Sequence, residues 1–282
     1  VIALFPSDPL RPRLVDEHYR IEEEAAKALG LEVGLLNHDL ATRGDAAGAV
    51  SGISADGSEV VYRGWMLTSL QYHAVAEALG ERGLRMVTQP DKYRAGHELP
   101  GWYSAVDELS PRSIWTDDDN LDELIQRAAR WPVELAILRD FTKSMKHYWH
   151  EACFVPNVHD PVGLRRVAGR FRELRDDDFT GGYVLRAFET FTSPEVRTWW
   201  IDGLCVACTA HPDTPDLHPP DDLDLTWLDA PVTRVGAPFV TVDLAKRDDG
   251  AWRIVELGDG QVSDLPRTAD PTVVFAAFSN HH

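Results

Sequence analysis

Two acidic residues interrupt apolar runs near the end of the chain, Asp243 in FVTVDLA (239–245) and Glu256 in WRIVELG (252–258). The intervening KRDDG (246–250) reads as a hairpin turn that brings Asp243 nearly opposite Glu256. Two like charges on one sheet face repel unless a cation or a basic group stands between them. Carboxylate oxygens suit Mg²⁺, which takes one or two carboxylates together with phosphate oxygens. A solvated sheet face is the alternative reading. The second arm runs on as VELGDGQVS (255–263), where Asp259 adds a third carboxylate between two glycines.

Basic residues gather upstream. Arg139, Lys143 and Lys146 lie in LRDFTKSMK (138–146), at a strand end and the loop after it. In a chain this acidic they read as a triphosphate clamp or as snorkelling surface side chains. In LRAFETFTSPEVRTWW (185–200), Arg186, Glu189, Glu195 and Arg197 surround a strand–turn–strand junction. Alternation puts Glu195 and Arg197 on one face, which a structural ion pair would also explain. Arg63 in VVYRGWM (60–66) closes a strand and is placed to bind a substrate carboxylate.

Other motifs carry less. Cys205 and Cys208 form a single C-x₂-C with His211 and His218 behind it, a set that could hold zinc, but on a regular strand residues three apart face opposite sides, against a tetrahedral site. His147 and His150 lack the H-E-x-x-H order, and there is no G-x-S-x-G, Walker or G-x-G-x-x-G motif.

The elements that must position these residues are legible in outline. VIALF (1–5), LEVGLLN (31–37), SEVVYRGWM (58–66) and LRMVTQP (84–90) read as strands, with helices over 16–30 and 69–83, each closed by glycine. That alternation predicts a parallel sheet. Helices are expected over 118–130 and 161–175, and a strand over 133–141. From residue 181 onward the signals are mostly strands, with Asp-Gly turns at 202–203 and 249–250 and a polar Pro/Asp loop over 209–224. The fold class is α+β: an α/β domain over 1–95, then an α+β domain over 96–282. The 46 acidic and 28 basic residues give a formal charge of −18, which disfavours nucleic acid as a partner. No apolar run approaches the roughly 20 residues of a membrane span. No signal-peptide pattern opens the chain, three cysteines suit a reducing cytoplasm, and His281–His282 reads as a tag remnant.

The order of these signals resembles the ATP-grasp superfamily, most of all its clade named for an arginine and two lysines. The matching stretches are VVYRGWM, LRDFTKSMK, GGYVLRAFETFTSPEVR, FVTVDLA and WRIVELGDGQVS, most specifically within 133–265. The resemblance implies ATP held between two α+β subdomains, with Mg²⁺, and activation of a carboxylate as an acylphosphate that an amine attacks. It implies nucleotide contacts from Arg139, Lys143, Lys146, Arg186, Glu189 near the adenine and Glu195 near the ribose. Arg197, with Lys146, would face the transferring phosphate, and Arg63 the substrate. Asp243 and Glu256 would hold the metal. Most relatives carry Glu-x-Asn there, whereas position 258 is Gly, so Asp259 or Gln261 is expected to substitute. The expected activity is an ADP-forming carboxylate–amine ligase acting on a small molecule, amino acid or peptide. A phosphotransferase and a silent acidic interaction protein are the alternatives.

Overall fold

The computed structural model describes residues 1–54 and 57–279; the expected tag remnant lies outside them. The chain opens with β1 (Ile2–Pro6), α1 (Arg20–Ala28), β2 (Glu32–Leu36), α2 (His38–Thr42), α3 (Ala46–Ala49), β3 (Glu59–Tyr62), α4 (Ser69–Glu81), β4 (Arg85–Met86) and α5 (Pro90–His97). There follow α6 (Leu99–Val106), β5 (Ser113–Trp115), α7 (Leu121–Ala128), β6 (Ala136–Arg139), β7 (Phe154–Val155), α8 (Pro161–Arg175) and β8 (Val184–Ala187). The last third holds β9 (Val196–Ile201), β10 (Leu204–Ala210), α9 (Asp229–Val235), β11 (Phe239–Lys246), β12 (Trp252–Asp259) and α10 (Thr272–Ser279). No helix among the described residues is long and apolar enough to cross a membrane.

Two compact units result. The first takes Val1–His97, Pro194–Leu244 and the chain from Glu256 onward; the second takes Glu98–Ser193 and Ala245–Val255.

In the first unit, β2, β1, β3 and β4 pair in parallel in that order. Alternation sorts β1 between two cores: Ile2 and Leu4 face one with Tyr62, Tyr72 and Val75, while Ala3 and Phe5 face the other. The second core also contains Trp199, Ile201 and Phe239 from the antiparallel sheet β10-β9-β11-β12, sealed by Phe275 and Phe278 of α10. Each fully buried aromatic contributes about 2–3 kcal/mol by leaving water. Local signals fix the boundaries. Thr68 and Gln71 form a reciprocal capping box at the start of α4, worth about 1 kcal/mol, and Gly83 ends it at φ +78°. The Asp202-Gly203 turn takes φ +48° and +78°, the paired left-handed conformation that a two-residue hairpin requires. The strand expected over 84–90 shrinks to two residues, since Pro90 opens a helix instead.

In the second unit, β5, β8, β6 and β7 form an antiparallel sheet. Helices α7 and α8 cover it through Leu124, Leu164, Val167 and Phe171. The start of α8 has Asp160 as N-cap and Pro161 in its first turn, where a missing N–H costs nothing.

Candidate functional site

In the first unit, the register of β9 on β11 sets Ile201 opposite Phe239, Trp199 opposite Thr241, and Arg197 opposite Asp243. Alternation puts all six on one face, which passes from apolar core to charged end within two residue pairs. Arg197 grips Asp243 with two bonds, Nε to Oδ1 and Nη2 to Oδ2, both 2.8 Å, and Nη1 donates to the Asp264 carbonyl at 3.0 Å. Burial alone would raise the Asp243 pKa; the Arg197 guanidinium and His211 outweigh it and hold the carboxyl well below its usual range. Burial likewise pulls Arg197 down, and Asp243, then Glu256 and Asp264, more than restore its charge.

His211, which follows β10, belongs to this cluster rather than to a site with the cysteines that precede it. Its Nε2 lies 3.5 Å from Asp243 Oδ2 and 3.7 Å from Glu195 Oε2. The Asp213 backbone N–H donates to Nδ1 at 3.2 Å, which assigns the ring proton to Nε2, facing both carboxylates. Arg197 Nη2, 3.2 Å from Nε2, is then a neighbour rather than a hydrogen-bond donor to the ring. Atoms of Glu195, His211 and Asp243 lie within 4.8 Å of one another, the spacing of a metal triad, but in that tautomer Nε2 has no lone pair to give. Mg²⁺ fits a different set. Asp243 and Glu256 offer hard oxygens beside the fixed Arg197 cation, and Asp243 Oδ1 has a second lone pair that Arg197 leaves open.

Beneath this face sits Arg63, in a role other than the expected one. It is 1% exposed. Its Nε and Nη2 bond the Glu22 carboxylate at 2.7 and 2.8 Å, and Nη1 reaches the carbonyls of Gly260 and Ser263 at 2.6 and 2.9 Å. Its guanidinium lies 5.6 Å from the Trp199 ring centroid. Four N–H bonds and an aromatic lid leave it no access to a substrate; it ties β3 to the turn after β12.

Asp259 also departs from its expected role as a ligand. It is fully buried, and its Oδ1 accepts from the Gln261 backbone and side chain at 2.9 and 3.0 Å. Its Oδ2 is buried with no hydrogen-bond partner among the described residues, and burial pushes the acid up to about 7. Gln261 is held in the same buried network by the Tyr72 hydroxyl. The turn glycines have structural reasons too. A Cβ on Gly260 would stand 2.4 Å from the Phe239 ring, so only glycine fits there.

A raised carboxyl pKa makes folding favour the protonated form. Stability is then full below the unfolded pKa, near 4, and falls as pH rises toward 7. Asp259→Asn is expected to flatten that fall and to stabilise the protein by roughly 2–4 kcal/mol at pH 8. Denaturant midpoints from pH 4 to 8 check this; a wild-type slope in the variant would exclude Asp259 as the source.

The cysteine pair corrects the parity argument. A bulge follows Cys205, so that Cys205 pairs with Trp200 and Cys208 with Thr198, two residues apart on β9. Both thiols therefore face the same side of the sheet. Partial burial pushes the Cys208 thiol up to about 11, with Cys205 adding to the shift.

In the second unit, Lys143 stands on a loop built around Asp140. That fully buried carboxylate accepts from Thr142 N, Thr142 Oγ1 and Lys143 N at 2.8, 3.0 and 2.7 Å, and pairs with Arg175 at 2.8 Å. Arg139 is 6% exposed and braces the loop through the Asp140 and Thr142 carbonyls. Lys143 and Lys146 are exposed. Arg186 is buried on Ser110 Oγ and the Ile254 carbonyl, and Glu189 is held by two 3.0 Å bonds from Arg253. Neither Asp140 nor a nearby aromatic group figured in the sequence reading. Trp149 opens a π-helical turn and stacks on Phe154 at 5.4 Å, with Phe188 edge-on to both. Trp149 and Phe188 remain about one-third exposed, at 36% and 37%.

Comparison with known proteins bears on this arrangement. Residues 129–278, more than half of the chain, match an ATP-grasp domain family, family 3 of the clade named for an arginine and two lysines. Among solved structures, a RimK domain ATP-grasp protein from Sphaerobacter thermophilus DSM 20745 aligns with TM-score 0.64 and 16% identity, covering 99% of this chain and 98% of its own. The D-cycloserine synthetase DcsG aligns at 0.63 and 17%, covering 99% of both. The macrocyclase MdnC, bound with precursor peptide MdnA from Microcystis aeruginosa MRC, aligns at 0.56 and 14%, covering 99% and 100%. At these identities the likeness establishes the fold. No curated protein matches the chain.

Proposed function

The chain belongs to the ATP-grasp domain family numbered 3 in the arginine-and-two-lysines clade, and from that membership we propose an ATP- and Mg²⁺-dependent ligase that joins a carboxylate to an amine through an acylphosphate. The observation that carries the reading is the Arg197–Asp243 pair with Glu256 beside it: a fixed cation among carboxylates, on a rigid sheet face. Glu256 and Asp243 are the proposed metal ligands; Mg²⁺ bound there supplies charge neutralisation on the nucleotide's phosphates. Arg197 keeps N–H capacity beyond the bonds to Asp243 and Asp264, and this is assigned to the transferring phosphoryl group. Its pairing holds the guanidinium in place before charge develops. Glu195, oriented with His211, is assigned to the ribose.

In the second unit, Lys143 and Lys146 are assigned to the phosphates. Arg139, Arg186 and Glu189 act by bracing, since each is engaged by neighbouring groups of its own unit. The exposed rings of Trp149 and Phe188 offer the base an apolar face.

The substrate carboxylate oxygen attacks the γ-phosphorus and ADP leaves. The amine then attacks the acyl carbon, phosphate leaves, and the amine's proton passes to solvent or base. Incubation with ATP, Mg²⁺ and a pool of amino acids and peptides is expected to release ADP and phosphate in equal amounts, only when the right pair is present. Release of AMP and pyrophosphate would overturn the mechanism, and a stable phosphorylated product would make the protein a phosphotransferase.

A further inference from the structure

The ends of β1, β2 and β3 open a cleft of 270 Å³ within the first unit, lined by Asp16, His38, Asp39, Arg43 and Trp65 among others. Carboxyl ends of parallel strands are where open α/β sheets take ligands. Several of its groups are already satisfied. Asp8 is held by the Arg11 guanidinium at 2.8 and 3.2 Å. Asp16 receives the Trp65 indole N–H at 3.2 Å and the His18 backbone N–H at 2.9 Å. Trp65 is further fixed by ring contacts with His18 and Tyr19, at 4.6 and 5.2 Å between centroids.

Three groups are left with capacity. Asp39 and Arg43 lie four residues apart at α2 and its C-cap, on the same side of the turn, and neither side chain bonds to a described residue. His38 Nδ1 is buried without a hydrogen-bond partner among the described residues. Burial also keeps the ring below its ordinary pKa, against the pull of Asp39 and Asp16, which favours the neutral imidazole, and in the tautomer protonated at Nε2 the Nδ1 lone pair is open to a donor.

We propose that this cleft recognises a free α-amino acid as its zwitterion. Arg43 takes the carboxylate, Asp39 and His38 Nδ1 take the ammonium group, and Trp65 covers the side chain. A simple anion would meet Asp16 and Asp39, and a simple cation would meet Arg43. Only a ligand carrying both charges within one residue's length satisfies all three groups. The volume suits one such molecule. That the bound amino acid is a substrate rests on the ligase reading; its binding does not.

The test is isothermal titration of the whole chain, without ATP, with each of the common amino acids and with its N-acetyl and carboxamide forms. At least one free amino acid is expected to bind, and blocking either end should weaken it about 10- to 100-fold, the loss of a charged hydrogen bond. Arg43→Gln should bind the acid and its carboxamide alike. Asp39→Asn should bind the free and N-acetylated forms alike. Thermal midpoints check that both variants fold. The site is overturned if no amino acid binds, if blocked forms bind equally well, or if both variants keep wild-type discrimination. ADP release assayed in parallel separates the two claims. Turnover of other substrates with no such binding removes the site and leaves the ligase; the expected binding with no turnover removes the ligase and leaves the site.

Discussion

Glu256→Gln is expected to lower the rate of ATP-driven ADP release by about 10³-fold while leaving the thermal midpoint nearly unchanged. Glu256 is half-buried rather than part of the core, and it supports the charge of Arg197 by Coulombic attraction. Gln keeps its size and removes its charge. If Glu256 holds Mg²⁺, the loss should be partly reversed at high Mg²⁺, because weaker binding of a cofactor is offset by concentration. Asp243→Asn should also abolish turnover but should destabilise the fold as well, since it strips the half-buried Arg197 of its counter-charge and one of its two bonds. Turnover by Glu256→Gln with an unaltered Mg²⁺ dependence would remove Glu256 from the metal.

Arg63→Met should lose about 3–5 kcal/mol of stability, the cost of leaving a buried Glu22 carboxylate without its cation and two carbonyls of the β12 turn without donors. Arg63→Met combined with Glu22→Leu should recover much of that loss, because replacing both partners of a buried pair by apolar groups leaves no orphaned charge. Denaturant midpoints of the wild type, both single variants and the double variant give the coupling. A double variant as unstable as the sum of the singles would show that Arg63 acts through packing on Trp199 instead.

Local chemistry was legible in the sequence, and tertiary placement was not. Periodicity and punctuation marked the parallel front sheet, α8 with Pro161 at its start, and the Asp202-Gly203 hairpin, because these depend on neighbours along the chain. The pairing of Asp243 was half legible: its strand was clear, but its partner Arg197 comes from 46 residues earlier, and register is set by tertiary packing. Arg63 was misjudged because a strand-end arginine looks the same whether its end is open or closed by a returning chain. Here Gly260 and Ser263, some 200 residues on, close it. His211 was legible only as a histidine behind the C-x₂-C, since its place beside Glu195 and Asp243 is set by three-dimensional proximity. The cysteine parity failed for a single reason: one inserted residue reverses every later side chain of a strand, and composition does not announce a bulge.

That inserted residue has a consequence for the protein in crowded solution. β10 is the outer strand of its sheet and carries the exposed Leu204 with Cys205 and Cys208. A flat edge of this composition would template the addition of another chain, strand upon strand. The kink twists the edge out of register for a straight partner, and a formal charge of −18 keeps copies apart at long range. Restoring a regular ladder by deleting one residue at the bulge would therefore trade a guarded edge for one that aggregates.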